Sequence, residues 1–398
     1  MKKKLLKLFV ILSSALLLVL LIFFTDSFGS LVQMVNHIKP YWLAAGFGCM
    51  VVYWLLDAVI LHTVTITMHK EQRIKDTVRV TMIGQFFNSI TPFAGAGQPV
   101  QAYVMIKDGV KPGYAASIFV VKSLLHQMVI ILYSIVVFVF KGGIFSAHIP
   151  QFYYFFILGT IINTLFLMFN VLLLYKGYAA KKILMVLVRL LNKLKIIKDP
   201  DGVQKRIDTE LVSFSGGALI LKKDSKALVI LIVTQIVQFT FLFAIPYFIQ
   251  LAVEDHRAGL MNMISAQALI TLISLLIPTP GATGGMEGLS YLFYGMFFRR
   301  GFVIPVILIY RLLTYYPSVI FGGIFTVFAP EKPLQHEAEV KQAERGCLPE
   351  VAGDDAQEDG ARDDEARKDG SQMDDAQNNC DNRRLVRKKR RKTSGGTL

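Results

Sequence analysis

The 398-residue chain is 53% hydrophobic and only 18% charged, with a mean hydropathy of +0.48, whereas soluble globular domains carry roughly 25% charged residues; the composition excludes an ordinary soluble domain. The net charge of +14 rests on basic residues lying mostly between apolar runs, which makes an anionic membrane surface the expected partner and nucleic acid an unlikely one. Cys49, Cys347 and Cys380 supply no disulfide framework, and seven scattered histidines without an HExxH pair supply no metal site; no cofactor is expected.

In chain order, Lys2, Lys3, Lys4 and Lys7 precede an apolar run from Leu5 to Phe24. A stretch of about 20 residues without an A-x-A-like cleavage site reads as an uncleaved first helix with a cytoplasmic N-terminus. Further full spans are expected at Tyr41 to Met68, Tyr114 to Phe140, Phe152 to Tyr175, Ala227 to Leu251 and Phe302 to Phe328. Asp57 lies midway along the first of these, Lys122 in the second and Arg311 in the last.

Two other apolar stretches are broken in corresponding places. The first break reads Thr91-Pro92-Phe93-Ala94-Gly95-Ala96-Gly97-Gln98-Pro99, the second Pro278-Thr279-Pro280-Gly281-Ala282-Thr283-Gly284-Gly285-Met286-Glu287-Gly288. Irregular backbone at membrane depth survives only where it is buried in protein or lines a polar cavity, and a matched pair of breaks is the best sequence pointer to a transport site. The arms Val80 to Ile90 and Val100 to Ile106, about 7 to 11 residues, rise roughly 10 to 17 Å, about half the hydrocarbon core. Each break is therefore expected at the tip of a re-entrant hairpin.

Loop charge supports this count. The connection 176–226 is rich in Lys and Arg and should be cytoplasmic, which two re-entrant hairpins satisfy and two single spans do not; Arg299 and Arg300, placed outside, count mildly against it. The expected fold is an all-α integral membrane protein with about six full transmembrane helices and two oppositely oriented broken-helix hairpins. They form an inverted repeat, the first half about 41–140 and the second about 227–328, within a membrane domain 1–330. Similar halves of opposite orientation support alternating access.

Gly84-Gln85-Phe86-Phe87-Asn88-Ser89-Ile90-Thr91-Pro92 with Gly97-Gln98, then Ile277-Pro278-Thr279-Pro280-Gly281 with Gly284, Gly285 and Glu287, and Tyr310-Arg311-Leu312 together resemble the membrane domain of lysylphosphatidylglycerol synthetases, the multiple peptide resistance factors, and their stand-alone flippase-like relatives. The resemblance covers roughly Leu5 to Pro330. It implies movement of aminoacylated phosphatidylglycerol to the outer leaflet, with a separate domain making that lipid from aminoacyl-tRNA. After Pro330 about 70 polar residues remain, too few for a typical acyltransferase-like domain, so the synthase half is not expected here. Where the family commonly has Gly-Glu this chain has Gly97-Gln98, one intramembrane charge fewer.

No catalytic residue is assigned. The expected substrate pathway comprises Pro92, Gly95, Gly97, Gln98, Pro278, Pro280, Gly281, Gly284, Gly285, Glu287 and Arg311. An ionised side chain inside a membrane normally faces a cavity or a partner; Arg311 would hold lipid phosphate through its planar fork and Glu287 a cationic headgroup or Arg311 itself, the alternative being a structural ion pair. Asp57 and Lys122 are charge partners, with Lys122 and Arg311 both open to Asp57. The glycines either let helix ends approach an anionic phosphate or permit close helix packing; their clustering with prolines and polar residues favours the first.

The tail 331–398 runs from an acidic tract into a basic cluster, Arg383 to Lys392. It is expected to be disordered and cytoplasmic, with the basic cluster against anionic lipid or a nucleic acid such as tRNA, or simply solvated. The chain thus reads as a multi-pass protein of the cell membrane that moves an anionic phospholipid or isoprenoid-linked lipid between leaflets. The alternatives are a non-transporting membrane partner of a lipid-modifying enzyme, or lysyl transfer by family label only.

Overall fold

A computed structural model describes residues 38–67, 69, 72–91, 95–175, 225–279, 281–299 and 301–328. The expected first span at Leu5 to Phe24, nearly all of the loop 176–226, the tail 331–398, and Pro92, Pro280 and Arg300 lie outside the described residues. Within them the chain is all-helical: α1 Pro40–Ile66, α2 Ile74–Ile90, α3 Gly97–Lys107, α4 Pro112–His148, α5 Phe152–Tyr175, α6 Ser225–Ala252, α7 Leu260–Ser274, α8 Gly285–Tyr294 and α9 Val303–Val327. Five of these, α1, α4, α5, α6 and α9, are long and apolar enough to cross a membrane, and they coincide with the five expected spans that fall here. The chain is an integral membrane protein.

Helix starts follow local chemistry. Pro40 and Pro112 open α1 and α4, where a missing N–H costs nothing and the fixed φ suits the first turn. One boundary differs from expectation: α4 runs past Phe140, through Lys141-Gly142-Gly143, to His148. Glycine disfavours a helix by only about 1 kcal/mol, and Phe145, 1% exposed, is held against Phe152, Phe293 and Phe297. Aromatic burial outweighs that cost.

Each break separates two short antiparallel helices. Gly97 abuts Asn88, and Gly84 abuts Gln101, whose Nε2 donates to the Val80 carbonyl at 3.3 Å; at the open end Arg79 pairs with Asp108. In the second hairpin Gly285 abuts Ile277, the Tyr294 hydroxyl donates to Gln267 Oε1, and the Arg299 N–H donates to Asp255 Oδ2 at 2.9 Å. Asp255 also lies 3.3 Å from Arg257 and 4.0 Å from Arg299, which offsets the cationic excess at that end.

Exchanging α1 with α6, α2 with α7, α3 with α8 and α4 with α9 leaves the packing scheme of these eight helices unchanged. The pair α2–α9 becomes α7–α4, α1–α2 becomes α6–α7, and α1–α4 becomes α6–α9. Helix α1 is antiparallel to α6: the Lys39 N–H meets the Ala252 carbonyl, Gly46 sits against Ile245 and Phe248, and Gln238 Nε2 donates to the Tyr53 carbonyl at 3.3 Å. The exchange therefore reverses helix direction. The first hairpin opens at the C-terminal end of α1, where His62 meets Thr77, and the second opens at the C-terminal end of α6; they enter the bundle from opposite ends. Helix α5, packed on α4 and α7, has no counterpart in the exchange among the described residues.

Candidate functional site

The hairpin tips meet inside the bundle. At the second break Gly281 and Ala282 take positive φ values of 59° and 54°, a left-handed turn that glycine adopts without strain, and Gly281 lies so close to the Ser89 carbonyl and the Tyr315 ring that a Cβ there would stand 3.0 and 2.3 Å away. Around this junction lies a cavity of about 290 Å³. Its wall takes Asn88 and Ser89 from α2, His126 and Gln127 from α4, Asn163 from α5, Thr271 and Ser274 from α7, and Tyr310, Arg311 and Thr314 from α9. Ile130, Leu275, Ile277 and Met286 add apolar surface to the wall, and its polar groups, together with burial in protein, meet the requirement for irregular backbone at membrane depth.

Arg311 is the cation of this cavity. Its Nε donates to Glu287 Oε1 at 2.8 Å and its Nη1 to the Gly281 carbonyl at 3.0 Å, while the guanidinium lies over the Tyr315 ring, 5.3 Å from the centroid. Nη2 stands 2.8 Å from the same Glu287 oxygen, a contact of charge without hydrogen-bond alignment, and is buried away from the cavity surface. Glu287 Oε2 accepts the Gly284 N–H at 2.6 Å, which fixes the carboxylate across the first turn of α8. One carboxylate thus ties the start of α8 to α9 and orients the fork toward the tip. Asn88 Oδ1 and Gln127 Oε1, on residues of the wall, are buried without partners.

The neighbouring helices are held by polar groups with complete partners. Gln267 Nε2 donates to the Tyr310 hydroxyl at 2.9 Å and its Oε1 accepts from Tyr294, joining α7, α8 and α9. Asn163 Nδ2 donates to the Leu272 carbonyl at 2.9 Å and the Gly159 carbonyl at 2.8 Å, supplying a donor to the last turn of α7, where carbonyls lack intrahelical ones. In the first half Lys122 Nζ lies 2.8 Å from Asp57 Oδ1, and Gln85 Nε2 donates to Asp57 Oδ2 at 3.2 Å. Asp57 is 6% and Lys122 9% exposed.

Of the expected pathway residues, Gly281 and Arg311 line the cavity and Glu287 is bound to Arg311. Gly97 and Gly285 serve close approach of hairpin arms: a Cβ on Gly97 would stand 2.0 Å from Asn88 Oδ1, and one on Gly285 2.7 Å from Ile277. Gly284, with φ 85° and open space where a side chain would go, Gly95 and Pro278 are exposed, and Gln98 is half-buried. The choice left open for Asp57 falls to Lys122. His126, Gln127, Asn163 and Thr314 were not singled out from the sequence. Their one signal is polarity inside apolar spans, strongest in Lys122 and His126 at a spacing of four, one helical face.

The family model of the lysylphosphatidylglycerol synthase TM region matches residues 5–322. A UPF0104 membrane protein of Archaeoglobus fulgidus is 27% identical over 287 residues, covering 71% of this chain and 84% of that protein. No solved structure matches the chain.

Proposed function

Because the chain belongs to the family of the lysylphosphatidylglycerol synthase transmembrane region, we propose that it moves a phospholipid, either aminoacylated phosphatidylglycerol-like or another lipid that is anionic or isoprenoid-linked, between the leaflets of the cell membrane. The observation that carries this reading is the cavity at the junction of two hairpins that open to opposite ends of the bundle, with Arg311 and a set of neutral polar side chains on its wall. A phosphodiester presents coplanar oxygens that suit the guanidinium fork. Exchange of conformation between the two halves would open the cavity to one side and then the other. The basic loop 176–226 and both termini face the cytoplasm on this reading, the tail against anionic lipid, with a lipid-modifying enzyme as the supplier or consumer of substrate.

The test is leaflet exchange of fluorescent phosphatidylglycerol in vesicles of phosphatidylcholine containing the purified protein. Exchange well above empty vesicles is expected, with Glu287→Gln reducing it by releasing Arg311 from its fixed orientation. Wild-type protein that exchanges neither this probe nor any lipid it co-purifies with would remove the transport reading and leave a membrane partner without transport of its own.

A further inference from the structure

The buried Asp57–Lys122 pair stands beside the cavity but outside it, and nothing above gives it a task. Asp57 is faced by Lys122 and His126 from α4, by Gln85 from α2 and by Tyr53 from its own helix, with Tyr310 of α9 beyond Tyr53; from α6 the amide of Gln238 donates to the Tyr53 carbonyl. His126 lines the cavity wall and sits four residues beyond Lys122 on α4, about 6 Å along the axis, a distance a lysine stem spans.

We propose that Asp57 is a proton-binding site coupled to the anionic headgroup, and that Lys122 is shared between them. This inference rests on the reading of the cavity as an anionic-lipid site. With the cavity empty, ionised Asp57 neutralises Lys122. When a phosphate enters, Lys122 swings toward it past His126, and Asp57 loses its cation. An unpaired carboxylate between apolar helices is costly, so it takes one proton from water in the cavity and becomes a neutral acid that still bonds Gln85. Before, the site holds one carboxylate and one ammonium; after, one phosphate, one ammonium and a neutral carboxyl group. Neither state buries net charge, which is the condition a low-dielectric interior imposes.

Linkage makes the coupling reciprocal: if the anion favours proton uptake, protonation favours the anion by the same factor. Affinity for the headgroup should therefore rise by up to about tenfold for each unit fall in pH. The same swing explains how this half manages with Gln98 in its hairpin, where the other half has Glu287: its cation is held by α1 and is free to leave.

Dihexanoyl phosphatidylglycerol added to the full protein in weakly buffered detergent, with a pH dye, reads the coupling directly. Wild type should bind with uptake of about one proton per ligand and more tightly at lower pH. Asp57→Asn should bind without proton uptake and without pH dependence, and the double change Asp57→Asn with Lys122→Gln, which removes both charges and so leaves neither unpaired, should bind more weakly, again without uptake. Binding by wild type without proton uptake overturns the coupling and spares the lipid reading. Undiminished uptake in Asp57→Asn places the proton elsewhere and overturns it too. Absence of binding at every pH overturns both.

Discussion

Arg311 is a fork held at two of its three nitrogens, by Glu287 and by the Gly281 carbonyl, and this geometry distinguishes it from a mere positive charge. Arg311→Lys retains the charge but cannot reach both partners; lipid exchange should fall at least tenfold while detergent melting shifts little, and unchanged exchange would assign Arg311 to packing alone. Gln267 carries a different kind of prediction. Replacement by Leu orphans the buried Tyr294 and Tyr310 hydroxyls, at about 1–3 kcal/mol each, so thermal stability should drop clearly; Tyr294→Phe and Tyr310→Phe added to Gln267→Leu should restore much of it. Charged residues were legible in the sequence because a charge inside an apolar run is conspicuous. The neutral wall residues His126, Gln127 and Asn163 were not, since the face a polar side chain presents depends on which helices surround it, and this is set by tertiary packing.

The hairpins were legible as elements for a reason of length: arms too short to span must turn back. Their close packing was less so. In the sequence a glycine near a break reads equally as a phosphate cradle or as a contact, and Gly97 and Gly285 prove to be contacts between arms. A close approach of backbone to backbone lies elsewhere, at Gly322 of α9, where a Cβ would stand 2.5 Å from the Met82 carbonyl and 2.8 Å from Phe86 Cβ of α2. Gly322→Leu must separate α9 from the first hairpin and should reduce folded yield or melting temperature, with overpacking costs of about 1–3 kcal/mol. Neighbouring Gly323, 3.5 Å from the nearest Phe86 atom, should accept Ala with little loss. A Gly322→Leu protein of wild-type stability would show that α9 and the hairpin are not in fixed register. The extension of α4 to His148 was unreadable because the Phe145 cluster that holds it comes from residues far along the chain.

At the scale of the whole molecule, the exchange of halves fixes which loops share an end. Arg73, before the first hairpin, and Glu254, before the second, lie at opposite ends of the antiparallel pair α1–α6. Single cysteines at these positions in a cysteine-free background should react with a membrane-impermeant reagent from opposite sides, and labelling of both from one side would refute the opposed hairpins. Little of this order was visible as sequence identity between the halves, beyond Thr91-Pro92 with Thr279-Pro280 and Lys122-Ser123-Leu124-Leu125 with Arg311-Leu312-Leu313. An inverted relation demands the same helix packing, which many apolar sequences satisfy.

The meeting of the two tips at Ser89 and Gly281 also has an electrical meaning. With the cavity open to one side only, the potential across a membrane falls mostly over the closed partition that remains on its other side, so a headgroup moved from one opening to the other crosses most of the field. A full charge carried through that partition alone does work of about 2.3 kcal/mol per 100 mV; a headgroup accompanied by a proton on Asp57 does almost none. Under an imposed potassium diffusion potential, wild-type exchange of phosphatidylglycerol should therefore be indifferent to voltage. In Asp57→Asn, which carries the anion without its proton, exchange should become biased toward the positive side.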